Sequence, residues 1–341
     1  MTPELAIIGT PPEPVPSLVS TLGKRGTWAA IVLTPGMSSR RDEYGRTTIE
    51  VMLAAARPYN LRILGPNSFG LVIPEIGLNA SFSHRSAPPG KIAFVSQSGG
   101  MCTDILDWAC ANGIGFSHLI ALGECVDVGF AEVIDFLSTE PSTRAILLFM
   151  KTLAHPRGFM SAARAAARNE PVLSIKAEGN PQAILVGAAQ TRAAVRSDAV
   201  YAAAFRRAGM LQVLDTEELF AAVETLARSG PLRSNDLTIM TNSDGIGTMA
   251  IDSLNQGGGS LTRLSDETLA QLDAVLSAVW SHGNPVNILA DADGERYFDV
   301  LRLLIAAQEV DTILVLHTPT RRGVQHGGGR GGRPSRIGNR R

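Results

Sequence analysis

The stretch Lys91-Ile-Ala-Phe-Val-Ser-Gln-Ser-Gly-Gly100, continued by Met-Cys-Thr-Asp-Ile-Leu-Asp-Trp-Ala, sets the terms for the whole chain. Its apolar run, small polar turn and following helical pattern predict a buried strand that feeds directly into a helix. Such a turn suits an anion. Glycine lacks a Cβ and lets backbone N–H groups approach a ligand, hydroxyls at Ser96 and Ser98 can donate, and the positive end of a helix favours negative charge. Ser96, Ser98, Gly99 and Gly100 are therefore candidate phosphate-binding residues. Any α/β protein needs Ser- and Gly-rich strand-to-helix turns, so this segment alone leaves the phosphate reading open.

Outward from it, apolar runs alternate with helical patterns. Leu5–Ile8, Ala29–Leu33 and Leu61–Leu64 read as parallel strands, with helices near Val15–Leu22 and Thr47–Ala56 between them. A second series has strands at Ile92–Val95, Leu119–Leu122, Ala145–Phe149 and Val172–Ile175, and helices near Cys102–Ala111, Phe130–Leu137 and Gly158–Arg168. Helices near Asp198–Ala208 and Glu217–Ala227 follow. A third series runs from Leu237–Met240 through a helix at Asp266–Leu276 to a strand at Thr312–Leu316. Interleaving of this kind implies right-handed crossovers and an α/β fold of tandem doubly wound parallel sheets, with ligands at the strands' carboxyl ends. A length of 341 residues exceeds one ordinary core, and the Pro-rich run Ser83–Gly90 and the turn after Ser229 are the candidate boundaries. The expected domains are 1–84, 85–229 and 230–320, with a Gly/Arg tail at 321–341 that lacks helical periodicity.

The formal net charge is −1, but the tail holds seven arginines and no acid, which leaves −8 for the rest. Nucleic-acid binding by the folded part is not suggested, although a Gly/Arg tail can stack on RNA. Nothing approaches the ~20 apolar residues that span a bilayer, and the N-terminus lacks the basic region of a secretory signal. Three cysteines, Cys102, Cys110 and Cys125, have no paired metal spacing. A cytoplasmic protein with reduced, inert thiols and no metal is expected.

Several segments together resemble one family: Gly65-Pro-Asn-Ser68, Ser96-Gln-Ser-Gly-Gly100, Gly113-Ile-Gly-Phe-Ser117, Ser197-Asp-Ala-Val-Tyr201 and Asn284-Pro-Val-Asn-Ile288. They are similar to the nucleoside-diphosphate-forming acyl-CoA synthetases, relatives of the succinyl-CoA ligase α subunit, and most similar to the branch fused to a GNAT protein lysine acetyltransferase domain. The resemblance covers about residues 1–320. It implies a Rossmann-like CoA-binding domain followed by two flavodoxin-like domains. It also implies CoA or acyl-CoA as ligand, and ATP or ADP handled by an ATP-grasp domain or β-like subunit. Pro11, Pro12, Asn67 and Ser68 match CoA-facing positions.

In that family a phosphorylated histidine carries energy between the two centres. An imidazole suits the task because its neutral nitrogen is nucleophilic near pH 7. Counting back from Ser197-Asp198, Gln190 takes the histidine position, and Lys151 stands where a partner glutamate is usual. A carboxamide nitrogen is non-basic and cannot serve as the relay. No other histidine lies between His155 and His282. The chain also opens about two strands into the family's CoA domain, which predicts an apolar strand edge, weak or lost CoA binding and a product truncated at both ends. Asp244, and Asn287 in place of a usual aspartate, depart from the family in the third domain. The expectation is a fragment or degenerate acetate–CoA ligase of the ADP-forming type that binds CoA or phosphate and is inactive alone. The alternative is a non-catalytic, acyl-CoA-sensing regulatory region of a GNAT acetyltransferase.

Overall fold

The structure is a computed structural model, and it describes residues 3–177, 199–228, 232 and 234–319. The chain forms two compact units, one ending at Ser229 and the other beginning at Gly230.

The first unit opens with three parallel strands, β1 (Leu5–Ile8), β2 (Ala29–Val32) and β3 (Arg62–Leu64), in the order β1-β2-β3. Helices α1 (Val15–Lys24) and α2 (Thr48–Ala56) cover one face through Val15, Val19, Met52 and Ala56. Thr47 starts α2 with a reciprocal cap, its side chain accepting from the Glu50 N–H while the Glu50 carboxylate accepts from the Thr47 N–H. Among the described residues β1 pairs only with β2, and Ile7 on this open edge is 52% exposed.

A hairpin that the sequence reading passed over, β4 (Gly70–Ile73) and β5 (Leu78–Ser81), closes the other face of this small sheet, where Ala80 packs with Ile31 and Leu33. It belongs to the next sheet by hydrogen bonding. The two sheets therefore part between β3 and β4, ahead of residue 84.

The central sheet adds β6 (Pro89–Ser96), β7 (Phe116–Ala121), β8 (Ala145–Met150), β9 (Val172–Lys176) and β10 (Leu211–Val213), in the order β10-β9-β8-β6-β7-β4-β5. The five from β6 to β10 are mutually parallel, while β4 runs antiparallel to β7. Ile92, Ala93, Phe94 and Val95 of β6 are all at most 1% exposed because helices cover both faces of the sheet. On one face lie α3 (Gly99–Ala111) and α7 (Thr216–Arg228), packed through Ile105, Leu106, Leu219 and Val223. On the other lie α4 (Phe130–Leu137), α5 (Pro156–Ala166) and α6 (described over 199–208), packed through Ile134, Phe159 and Phe205. Each such side chain contributes about 1.5–3 kcal/mol by leaving water. The chain runs from β6 to β7 on one side and returns to place β8 on the other, so the strand order reverses at β6. A crevice opens at such a reversal, outside the carboxyl ends of the strands.

The second unit is built on β11 (Asp236–Thr241), with β14 (Ile313–Leu316) along one edge and the short β12 (Ser260–Leu261) and β13 (Val286–Asn287) along the other. Asn284 fills the gap between β12 and β13: its amide oxygen accepts from the Ile239 N–H at 2.9 Å and its nitrogen donates to Leu237 O and Thr262 O at 2.8 and 3.0 Å. Helices α9 (Asp266–Val275) and α10 (Gly294–Ala306) pack Leu272, Val300 and Leu304 onto Met240, Val286 and Ile288. Between β11 and β12 runs α8 (Asp244–Gln256). The sequence reading named neither α8 nor α10, whose openings carry the poor helix formers Gly245, Gly247 and Gly294.

Candidate functional site

Ser96 ends β6 at the strand reversal and is fully buried. Its hydroxyl donates to Ser98 O and accepts from the Ser98 N–H, both at 2.9 Å. The hydroxyl thus builds the turn and is not free for a ligand. Ser98 caps α3, accepting from the Met101 N–H, and the helix begins at Gly99, three residues before the expected start. Gly99 and Gly100 are therefore its first two helical residues, whose N–H groups have no partner inside a helix. The first turn carries no acid.

The two glycines differ in surroundings. A Cβ on Gly99 would sit 3.3 Å from Phe69 Cβ, whereas one on Gly100 would meet nothing nearer than the Ser98 hydroxyl at 3.9 Å. Among the described residues, crowding accounts for the first glycine but not for the second, which is exposed at the helix end.

Lys151 follows β8 directly and is exposed. It meets the turn through Gln97, which the sequence reading quoted within the motif without giving it a role. Gln97 Oε1 accepts the N–H groups of Lys151 and Thr152 at 2.6 and 3.0 Å, and its Nε2 donates to Cys125 Sγ at 3.2 Å. The Gln97 N–H donates to Phe149 O at 3.1 Å. One side chain thus ties together the segments that leave β6, β7 and β8. Its central place in Ser96-Gln-Ser98 was the signal available beforehand.

Beside this bridge is a cleft of about 40 Å³ lined by Gln97, Glu124, Cys125, Asp127, Glu132 and His155 among others. Burial raises the Glu124 carboxyl above its ordinary range and pushes the Cys125 thiol up to about 11. Cys102, buried inside α3, is pushed to about 12. Both thiols stay protonated and weakly reactive at neutral pH. The Glu132 carboxylate accepts from the Gly129 N–H at 3.1 Å and caps α4. With three carboxylates in its lining, this cleft repels anions.

The carboxyl edge of the first sheet gathers the other predicted positions. Pro11 is exposed and Pro12 half-buried in the loop after β1. Thr34 after β2 donates through its hydroxyl to Thr10 O at 2.6 Å, and the Asn67 N–H donates to Thr34 O at 3.0 Å. The loops bearing Pro11, Pro12 and Asn67 therefore converge. Asn67, at a φ of 55°, turns outward, while Ser68 is buried, donates to Ala121 O at 2.5 Å and accepts from the Gly70 N–H at 2.9 Å. Ser68 thus holds the loop rather than facing a ligand.

The same loop fastens this edge to the strand reversal. The Glu124 N–H donates to Pro66 O at 2.9 Å, and Asp127 accepts from Arg62 Nε and the Ile63 N–H at 3.0 and 2.7 Å. Gln190, expected at the relay position, lies outside the described residues.

In the second unit Asp244 occupies the first turn of α8 and accepts from Asn287 Nδ2. The helix end is filled by the chain's own carboxylate. Among the described residues no group of three or more His, Cys, Asp or Glu side chains could hold a metal ion, and no helix is long and apolar enough to cross a membrane.

Residues 89–226 match the succinyl-CoA ligase-like flavodoxin domain, the segment that carries the strand reversal and the Ser98 helix. The chain is 34% identical over 317 residues to acetate–CoA ligase (ADP-forming) I of Archaeoglobus fulgidus, which covers 93% of this chain and 46% of that protein. To the α subunit of acetate–CoA ligase (ADP-forming) I of Pyrococcus furiosus it is 31% identical, covering 93% of this chain and 68% of the subunit. Among solved structures, a dinucleotide-forming acetyl-coenzyme A synthetase 1 of Ca. Korarchaeum cryptofilum, in complex with phosphate and ADP, superposes with a TM-score of 0.84 at 25% identity, over 94% of this chain and 69% of that one. The chain thus spans about half the length of the Archaeoglobus relative and about two thirds of the Pyrococcus subunit. Sheet order, the Ser-Gly-Gly helix start and likeness along nearly the whole chain agree: this protein belongs to the ADP-forming acetate–CoA ligase family, as an α-subunit-like chain.

Proposed function

We propose that this chain is the CoA- and phosphate-binding half of an ADP-forming acyl-CoA synthetase and works beside an ATP-grasp β-type subunit or domain. Inorganic phosphate or an acyl phosphate binds at the start of α3, on the N–H groups of Gly99 and Gly100 and the Ser98 hydroxyl. CoA lies along the loops of Pro11, Pro12 and Asn67, and Ser68 acts only by shaping its loop. The observation that carries this reading is Gly100: a glycine that no described residue crowds, at a helix end free of acids and beside the strand reversal. The relatives' names support the ligand classes, since they mention CoA ligation, ADP and phosphate.

The finer reading is that the chain binds these ligands without relaying phosphorus. Gln190 supplies no basic nitrogen at the relay position, and Lys151 offers an ammonium where a carboxylate would orient an imidazole. The acetyltransferase-linked alternative draws no support from the relatives named above, all of them CoA ligases or synthetases.

Two measurements test the reading. Calorimetry with phosphate and with CoA should show binding of each, and Gly100→Asp should abolish the phosphate heat while sparing CoA. Absence of phosphate heat in the wild type would reject the site. Incubation with γ-labelled ATP and an ATP-grasp partner should leave this chain unlabelled, and acid-labile label on it would overturn the loss of the relay.

A further inference from the structure

A second charged feature lies away from the strand reversal, on the outer surface of α5. The sequence Pro156-Arg-Gly-Phe-Met-Ser-Ala-Ala-Arg-Ala-Ala166 contains no acid. Phe159, Ala162, Ala163 and Ala166 face the core with Met160 packed at its margin, which leaves Arg157, Ser161 and Arg164 turned outward. Arg168 just beyond the helix and Arg207 of α6 join them around a groove of about 740 Å³. Among the described residues no carboxylate lines it, and none of its four arginines forms an ion pair.

Ordinary causes do not explain this arrangement. A cation near a helix carboxyl end is favourable, which accounts for Arg164 and Arg168, but Arg157 sits in the first turn, where positive charge is opposed by the helix dipole. Arg164 and Arg168 crowd two like charges at one helix end, and among the described residues no carboxylate lines the groove beside them. Residues 1–320 carry a formal charge of −8, so four guanidiniums unpaired among the described residues, three on α5 and α6 and one just past α5, run against the composition around them. The stripe weakens the isolated fold, and what it gains is a place for an external anion.

We propose that this groove is a binding site for a small molecule bearing linked phosphates, distinct from the α3 site and independent of the reading given to it. Planar guanidinium forks match phosphate oxygens two at a time. From Arg157 to Arg164 the rise along the helix is about 10 Å, and Arg168 extends the row past the helix end, which is longer than a single phosphate needs and suited to a chain of phosphates with its nucleoside. The groove is open and shallow, wide enough for a small molecule to lie along it, and the half-buried Met160 at its floor adds apolar surface for a flat base. Nucleoside di- and triphosphates and CoA share this chemistry.

The test is calorimetry on the full chain with inorganic tripolyphosphate, ADP, CoA and adenosine. Tripolyphosphate binding is expected to weaken with added salt and to fall at least about tenfold in Arg164→Glu/Arg168→Glu. An Arg157→Gln/Arg207→Gln variant, milder in charge, guards against misfolding and should weaken binding as well. Both losses should also appear in a Gly100→Asp background, which separates this groove from the α3 site. ADP or CoA binding more tightly than tripolyphosphate identifies a nucleotide ligand, and equal affinities identify phosphate chains alone. Unchanged binding in both arginine variants, or no heat in the wild type, overturns the proposal. So does a polyglutamate peptide or RNA oligonucleotide that binds more tightly than every phosphate compound and is lost in the same variants.

Discussion

Replacing Gln97 by alanine tests whether the crevice at the strand reversal is held by one side chain. The change removes the acceptor of two backbone N–H groups, on Lys151 and Thr152, and the donor to Cys125 Sγ. Each amide bond is worth about 1 kcal/mol net. Water reaches the half-exposed site and restores part of that, and the bond to sulfur is weak, so a loss of about 1.5 kcal/mol is expected. For a unit of this size that lowers the melting temperature by about 5 °C. The more informative variant is Gln97→Glu, which keeps the acceptor oxygens but adds a fourth carboxylate beside Glu124, Asp127 and Glu132. Its melting temperature should lie nearer to wild type than that of the alanine variant. Its phosphate affinity should fall by about tenfold, because the new charge repels the anion. Differential scanning calorimetry and phosphate titration read the two effects separately. If Gln97→Ala melts within about 1 °C of wild type, the bridge is not what holds the segments together.

Further outcomes follow from the same geometry. Gly123 has a φ of 59° and its Cβ would lie 2.1 Å from Pro66 O, so Gly123→Ala should destabilise the first unit by about 3 kcal/mol, measured by chemical denaturation. Glu309 accepts from the Ser265 N–H and the Thr268 hydroxyl, which hold its carboxyl at about 2. Its folded-state value lies below the unfolded one, so its contribution is present above pH 4.5 and is lost as pH falls from 4.5 toward 2. Glu309→Gln should flatten thermal stability across that window, and an unchanged slope would exclude the role. His118 is 3% exposed, packs edge-on against Phe136 and has no partner at Nδ1, and burial lowers its basicity. The unfolded chain then binds the proton more tightly, so stability should decline as pH drops below 6.5. His118→Leu should remove that slope, as followed by melts between pH 7 and pH 5.

Much of the α/β architecture was legible because its signals are local. Parallel strands covered on both faces read as unbroken apolar runs, as in Ile92–Val95 and Ala145–Phe149, and helices such as Phe130–Leu137 announce themselves by their period. The hairpin of β4 and β5 was missed because half-burial gives each strand only a weak alternation. The helices α8 and α10 were missed because their glycines depress local helix preference, which packing overrides.

The site divides along the same line. From the amino-acid order alone came the Ser-Gly-Gly turn between strand and helix and the ligase family, since each is a property of neighbouring residues. Which hydroxyls remain for a ligand was decided only by the folded chain: Ser96 and Ser68 turn inward to hold their own loops, whereas Gly100 is left facing open space. Gln97 took its role from partners 54 and 55 residues away, and the arginine groove from two helices joined through the core. Such convergence depends on the packing of distant segments, and no local pattern encodes it.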